Sequence, residues 1–218
     1  MPLEFKTNIK PVGNLGVWKI EEPESFFLNQ LALEKDEADQ LNLIKGQRRL
    51  EWLASRHLIH LLSERKIRGS VIKDHFGKPY LTDSRWEISM SHTLRFAAVI
   101  AAPYAVGVDI QQIVPRIDRI KQKFMHGCEL EYLKGNENDL MVMHVIWGIK
   151  ESLFKAYGKG ALSWTENFRV EAFQYSPDGG EVHCWMNDNE NTFAYTGTYQ
   201  LYKGVMLCYV QAIDNSQK

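Results

Sequence analysis

Twice along these 218 residues, helical periodicity gives way to strand alternation, and that order limits the possible folds more than any other feature. Asp36 to about Ser63 reads as one long helix, with Leu43, Ile44, Leu50, Trp52, Leu53, Leu58, Ile59, Leu61 and Leu62 at helical spacing. A strand over Val12–Ile20 and a short helix from Pro23-Glu24 to about Leu33 come before it. Gly69 and Phe76-Gly77-Lys78-Pro79 end the helical block with turn chemistry. Trp86, Ile88 and Met90 then alternate with polar residues, and the apolar strands Phe96–Ala102 and Ala105–Ile110 follow. The pattern begins again at Pro115, helical to about Leu133 and again from Leu140 to Tyr157. Strands follow at Phe168–Phe173, Glu181–Met186, Phe193–Tyr202 and Val205–Ile213, the last two joined at Lys203-Gly204 as a hairpin. The expected fold is α+β, built from two similar α+β halves in a pseudo-two-fold arrangement, residues 1–105 and 106–218.

Composition removes whole function classes. An apolar fraction of 44% and a charged fraction of 24% belong to an ordinary globular chain. The start, MPLEFKTNIK, carries no apolar core behind a basic cluster, so no secretory signal is readable. Phe96 to Val108 is the most apolar stretch, too short for a membrane span and broken by Pro103 and Gly107. A soluble, cytoplasmic protein is expected. Cys128, Cys184 and Cys208 have neither zinc-like spacing nor an even count, and the seven histidines form no HxH or HExxH cluster. His57 and His60 lie on a helix face that reads as buried.

A net charge of −1 argues against a nucleic-acid binder, yet the charge is uneven. Residues 41–80 carry nine Lys/Arg against three acids, so this segment is +6 and the remainder −7. The plain reading is a solvated helix; the sharper one is a site for a compact, multiply charged anion.

Three patterns offer chemistry. In Gly107-Val108-Asp109-Ile110-Gln111 an apolar strand ends at a carboxylate, which could equally be a turn former. Trp147, Glu151 and Lys155 fall at i, i+4 and i+8 on one helical stripe, either as an ordinary ion pair or as an acid and a base aimed into a cleft. If Asp109 faces Glu151, the two form a hard-oxygen site suited to Mg²⁺, which takes one or two carboxylates and completes its shell with phosphate and water. The third pattern gathers anion-binding candidates: Arg49 and Arg56 two turns apart, Lys78 behind Gly77, and Ser91-His92 at a strand end. No GxxxxGK[ST] loop, GxGxxG opening or GxSxG elbow is present, and Gly158-Lys159-Gly160 follows a helix without the spacing of a nucleotide loop.

Taken together, FGKPYL, ISMSHT, GVDIQ, WGIKESLFKAYGKG and the arginine-bracketed helix Arg49 to Arg56 resemble the surfactin-type 4'-phosphopantetheinyl transferases, in that family's order from about residue 48 to 163. The resemblance implies coenzyme A in a cleft between the two halves, Mg²⁺ as cofactor, and transfer of 4'-phosphopantetheine to a serine of an acyl or peptidyl carrier protein with release of 3',5'-ADP. It implies Asp109 and Glu151 as metal ligands, Lys150 and Lys155 near the diphosphate, and Arg49, Arg56, Lys78, Ser91 and His92 on the 3'-phosphate ADP portion. Glu129 matches an acid that completes the metal site or accepts the proton, and its plain reading is a solvated helix acid. Glu151, Glu129 or a metal-bound water is then the base, with Lys155 in the catalytic group. The family also implies a monomer, and the segment around 112–140 is the candidate carrier-facing loop.

One position departs. Many members carry GVDxE with the glutamate as a third ligand, where this chain has Gln111, counted as the third candidate metal ligand through an amide oxygen with one negative charge fewer. Two rival classes stay open. A binding module would hold coenzyme A or a carrier without releasing 3',5'-ADP; a phosphohydrolase would release ADP without any carrier.

Overall fold

The computed structural model describes residues 3–160 and 162–213. Met1, Pro2 and Ala161, which fall within segments read above, lie outside the described residues. The chain is mixed α+β with two antiparallel sheets and divides into two compact units, Met1–Tyr104 and Ala105–Lys218.

The first unit runs β1 (Leu3–Asn8), β2 (Asn14–Lys19), α1 (Glu24–Gln30), α2 (Lys35–Leu43), α3 (Gln47–Ser63), β3 (Val71–Lys73), β4 (Pro79–Leu81), β5 (Glu87–Thr93) and β6 (Phe96–Ala102). Its sheet has the order β1-β2-β6-β5-β4-β3. α3 lies across the central strands, burying Leu53, Ala54, Leu58, Ile59 and Leu62 completely or nearly so. Full burial of each of these larger side chains contributes roughly 1.5–3 kcal/mol. At Gly16 of β2 a Cβ would sit 3.1 Å from both Leu58 and Leu62, so the helix rests directly on the strand there.

Two readings of this unit change. The single helix over Asp36–Ser63 is two helices, because Ile44 leaves α2 in an extended conformation and Gly46 sits at φ +62 before α3. Apolar periodicity runs straight through the break, and only the Lys45-Gly46 pair betrays it. The strand expected over Val12–Ile20 is β2, and β1 pairs with it ahead of that. The sequence pattern did not mark β1, whose residues are exposed or half-buried and lack alternation.

The second unit runs β7 (Val106–Gln112), a 3-10 turn (Pro115–Ile120), α4 (Lys121–Phe124), α5 (Gly127–Leu133), α6 (Asp139–Tyr157), β8 (Phe168–Val170), β9 (Gly180–Asn187), β10 (Thr192–Tyr202) and β11 (Val205–Ala212). Its sheet has the order β7-β11-β10-β9-β8. The expected hairpin is present: β10 and β11 join through Lys203 at φ 45 and Gly204 at φ 82, the positive angles that suit the right-handed twist of paired strands. The helix read from Pro115 to Leu133 is three short pieces, with Met125 and His126 extended between α4 and α5. α6 ends where Gly158 takes φ +69 and donates its N–H to Phe154 O at 2.9 Å. Among the described residues no helix is long and apolar enough to cross a membrane.

Candidate active site

Backbone contact sets the site in the second unit. A Cβ built on Gly107 of β7 would lie 1.8 Å from Ser152 O of α6, and one on Gly148 of α6 would lie 2.6 Å from Cys208 Sγ and 2.8 Å from Gln111 Nε2. Two glycines, one on each element, therefore let α6 lie against β7 and β11 closer than any side chain allows. The Ser152 hydroxyl fastens the contact, donating to Gly148 O within the helix and lying 3.2 Å from Cys208 O of β11.

This approach brings Asp109 of β7 into one electrostatic cluster with Glu151 and Lys155 of α6. Asp109 is 7% exposed. Lys155 Nζ donates to Asp109 Oδ1 at 2.7 Å and to Val108 O at 3.1 Å, so its ammonium serves the strand. Glu151 is half-buried, and its carboxyl is pushed above the ordinary value, first by burial and then by the Asp109 charge, with Lys155 opposing. A carboxylate made costlier to ionise by burial and a neighbouring acid is one that a divalent cation would relieve. Among the described residues no group of three His, Cys, Asp or Glu side chains is placed to hold a metal. Asp109 and Glu151 are the two hard-oxygen groups here that could hold a Mg²⁺ ion, whose shell phosphate oxygens and water can complete.

Gln111, two residues on from Asp109, is engaged elsewhere. Its Nε2 donates to His144 O at 2.9 Å, and its Oε1 lies 3.0 Å from His144 Nδ1. An amide oxygen only accepts, so Nδ1 carries the proton. Nε2 then accepts from Val114 N–H at 3.0 Å, a neutral ring in keeping with the downward shift that burial gives His144.

Lys150 and Glu129 meet inside the second unit, away from solvent. Lys150 is fully buried and donates to Glu129 Oε2 at 2.7 Å, Phe124 O at 2.6 Å and Trp164 O at 3.1 Å, which uses all three ammonium protons. Glu129 Oε2 also accepts the His126 N–H at 2.7 Å, closing a capping box at the start of α5, and Oε1 accepts Val170 N–H at 2.9 Å. The reading of Glu129 as a solvated helix acid is corrected, since it is 3% exposed. Lys150, expected near a diphosphate, is held by its three acceptors in the interior. Trp147, the third member of the expected stripe, stacks on Trp164 at 5.3 Å and meets Phe124 edge-on at 5.0 Å.

In the first unit the expected anion-binding cations have acidic partners. Arg49 forks onto Glu24 of α1, Nε to Oε1 at 2.9 Å and Nη2 to Oε2 at 3.1 Å, while Nη1 donates to Leu41 O and Ile44 O at the end of α2. Arg56, expected on the same face, is drawn to different partners: it is 4% exposed, lies 3.4 Å over the Trp52 ring, and has its Nε 3.7 Å from Glu37. Burial and the nearby Arg68 pull its pKa down to about 10 against the pull of Glu37, with burial the larger cause. Arg68 also grips Glu37, which is wholly buried. Lys78 Nζ lies 2.8 Å from Glu87, and His92 Nδ1 lies 3.0 Å from Glu51. Ser91 is buried on β5. The turn carrying Lys78 is built by Asp74, whose Oδ1 accepts the N–H groups of Phe76 and Lys78, both at 2.9 Å, around Gly77 at φ +88.

Residues 105–205 match the 4'-phosphopantetheinyl transferase superfamily. Two curated relatives are similar over longer spans. A 4'-phosphopantetheinyl transferase, gsp, of Aneurinibacillus migulanus is 27% identical over 156 residues, 69% of this chain and 65% of the relative. A putative 4'-phosphopantetheinyl transferase, slr0495, of Synechocystis is 25% identical over 139 residues, 58% of this chain and 56% of the relative. The matches thus span less than two thirds of either relative's length. The superfamily likeness drawn from the motifs is borne out, and the matched region contains Asp109, Glu129, Lys150, Glu151 and Lys155.

Proposed function

We propose that this protein transfers the 4'-phosphopantetheine group of coenzyme A to a serine of an acyl or peptidyl carrier protein, acting as a single chain in the cytoplasm. The observation that carries the reading is the buried Asp109 beside Glu151 and Lys155, inside the region that matches the superfamily. Asp109 and Glu151 would hold Mg²⁺, which when bound offsets charge on the diphosphate. Lys155 adds a positive charge at the same place. Lys78, Ser91 and His92 are the first unit's candidates for the 3'-phosphate ADP portion, Lys78 and His92 exchanging their acidic partners for phosphate.

The serine oxygen attacks the phosphorus that bears pantetheine, a new oxygen–phosphorus bond forms, and the bond to 3',5'-ADP breaks with the nucleotide leaving. Of the cluster's two carboxylates, Asp109 already accepts from Lys155, which makes Glu151 the candidate to take up the serine proton. Glu129 is poorly suited, since both its oxygens are engaged inside the second unit. Most of the rate then comes from positioning and charge neutralisation.

Intact-mass spectrometry of an apo carrier protein incubated with this protein, coenzyme A and Mg²⁺ tests the reading. The expected result is a carrier heavier by one phosphopantetheine group, lost with EDTA and in Asp109→Ala or Glu151→Ala. Coenzyme A binding without a mass gain across several carriers would favour a binding module, and ADP release without a carrier would favour a hydrolase.

A further inference from the structure

Within the reading above, position 111 has its own consequence. The strand alternation of β7 puts Gln111 on the same face as Asp109, toward α6, where a carboxylate at this position would be expected to join the metal. Both ends of the Gln111 amide are instead used by one residue of α6: Nε2 donates to His144 O at 2.9 Å and Oε1 accepts from His144 Nδ1 at 3.0 Å. His144 is 1% exposed and cannot swing aside, because its other ring nitrogen is held by Val114 N–H at 3.0 Å in the segment that leaves β7. Gly148, one turn along α6, closes the remaining space, with its Cβ position 2.8 Å from Gln111 Nε2.

We infer that Gln111 is a positioning residue rather than a metal ligand: locked by His144, it ties the first half of α6 to β7 and leaves the ion to Asp109 and Glu151 among the described residues. The His144 clamp, and not the glutamine alone, keeps the side chain at position 111 out of the metal's shell. A glutamate there would still be captured by His144 Nδ1–H, while losing the bond to His144 O.

Mn²⁺ binding to the full chain, titrated by electron paramagnetic resonance, tests this alongside thermal melting. Gln111→Ala is expected to leave Mn²⁺ affinity within about twofold while lowering the melting temperature by about 5 °C, the scale of one or two buried hydrogen bonds lost in a chain of this size. Gln111→Glu alone should gain less than about tenfold in affinity, one factor of ten being about 1.4 kcal/mol. The double variant Gln111→Glu with His144→Phe should gain more than that and change the Mn²⁺ line shape, because the carboxylate is then free to reach the ion. A tenfold loss of affinity in Gln111→Ala, or a full gain in Gln111→Glu with His144 intact, overturns the inference. If the double variant fails to fold, the two single variants still decide it. Asp109→Asn is the control: unchanged Mn²⁺ binding there would sink the metal site itself, and the clamp would then be judged on whether Gln111→Ala and His144→Phe lower the melting temperature non-additively.

Discussion

The residues with the plainest chemistry in the sequence do not all serve in the cluster that the motif suggests. Lys150 and Glu151 are neighbours, yet the helix turns one into the interior and the other toward Asp109. Removing one partner of a buried, hydrogen-bonded ion pair leaves a charge without compensation, at a cost of about 3–5 kcal/mol. Lys150→Ala or Glu129→Ala should therefore lower stability by that order in a urea melt. Any loss of transfer in these variants should follow the loss of folded protein. A Glu129→Ala protein that melts normally but transfers nothing would return Glu129 to the role of base. At this scale the sequence was legible in part. Glu151 and Lys155 were readable together from helical spacing and Asp109 separately as a strand-end acid, because both are local signals; joining them took the family resemblance. The Lys150–Glu129 and Gln111–His144 partnerships were not, because their members lie 21 and 33 residues apart and no periodicity links them.

Among the elements, α6 and β7 matter most, and the two glycines at their contact set how near they come. Gly107→Ala would place a methyl carbon on Ser152 O, a backbone atom that cannot rotate away. Overpacking of this kind costs about 1–3 kcal/mol where side chains can adjust, and more where main chain must move. The variant is expected to melt at lower temperature and to lose transfer activity more than its residual folded fraction explains, since Asp109 is two residues away. Wild-type turnover in Gly107→Ala would show that the spacing of the acids tolerates a shift of the helix. Helix existence was readable for α3 and α6, whose apolar faces repeat over several turns. The break at Gly46 and the division of 115–133 were not, because local geometry interrupted an apolar pattern that ran on past it.

For the whole molecule, part of the basic charge in the 41–80 segment is taken up by ion pairs. Arg49 pairs with Glu24, Arg56 and Arg68 with Glu37, and Lys78 with Glu87, all acids outside the 41–80 segment. A window along the chain counts charges but cannot see partners that folding brings from elsewhere. The buried titratable groups also set the pH response. His57 sits edge-on to Trp18 at 4.9 Å, near Phe26 and Phe27, and its Nδ1 has no hydrogen-bond partner. Burial lowers the pKa of His57, with His60 adding to the shift and Glu22 opposing it; burial lowers His60 too, helped by Arg68 and Arg65. The folded state thus favours neutral rings while the unfolded chain takes up protons near the ordinary value of 6.5. The stability these groups contribute is present above that value and is lost as pH falls toward their lowered values. Melting temperature is expected to drop between about pH 7 and about pH 5.5, and less so in His57→Phe. An unchanged slope in that variant would shift the cause to other groups.

The contact between α6 and β7 also bears on how this chain can drift. Main-chain atoms meet there, so the distance between the two acids is set by two positions that must stay small rather than by the shapes of the side chains around them. Mutation can rework most of the surrounding apolar surface, one conservative exchange at a time, without retuning the acids. A lineage that lost either glycine would have to rebuild the site.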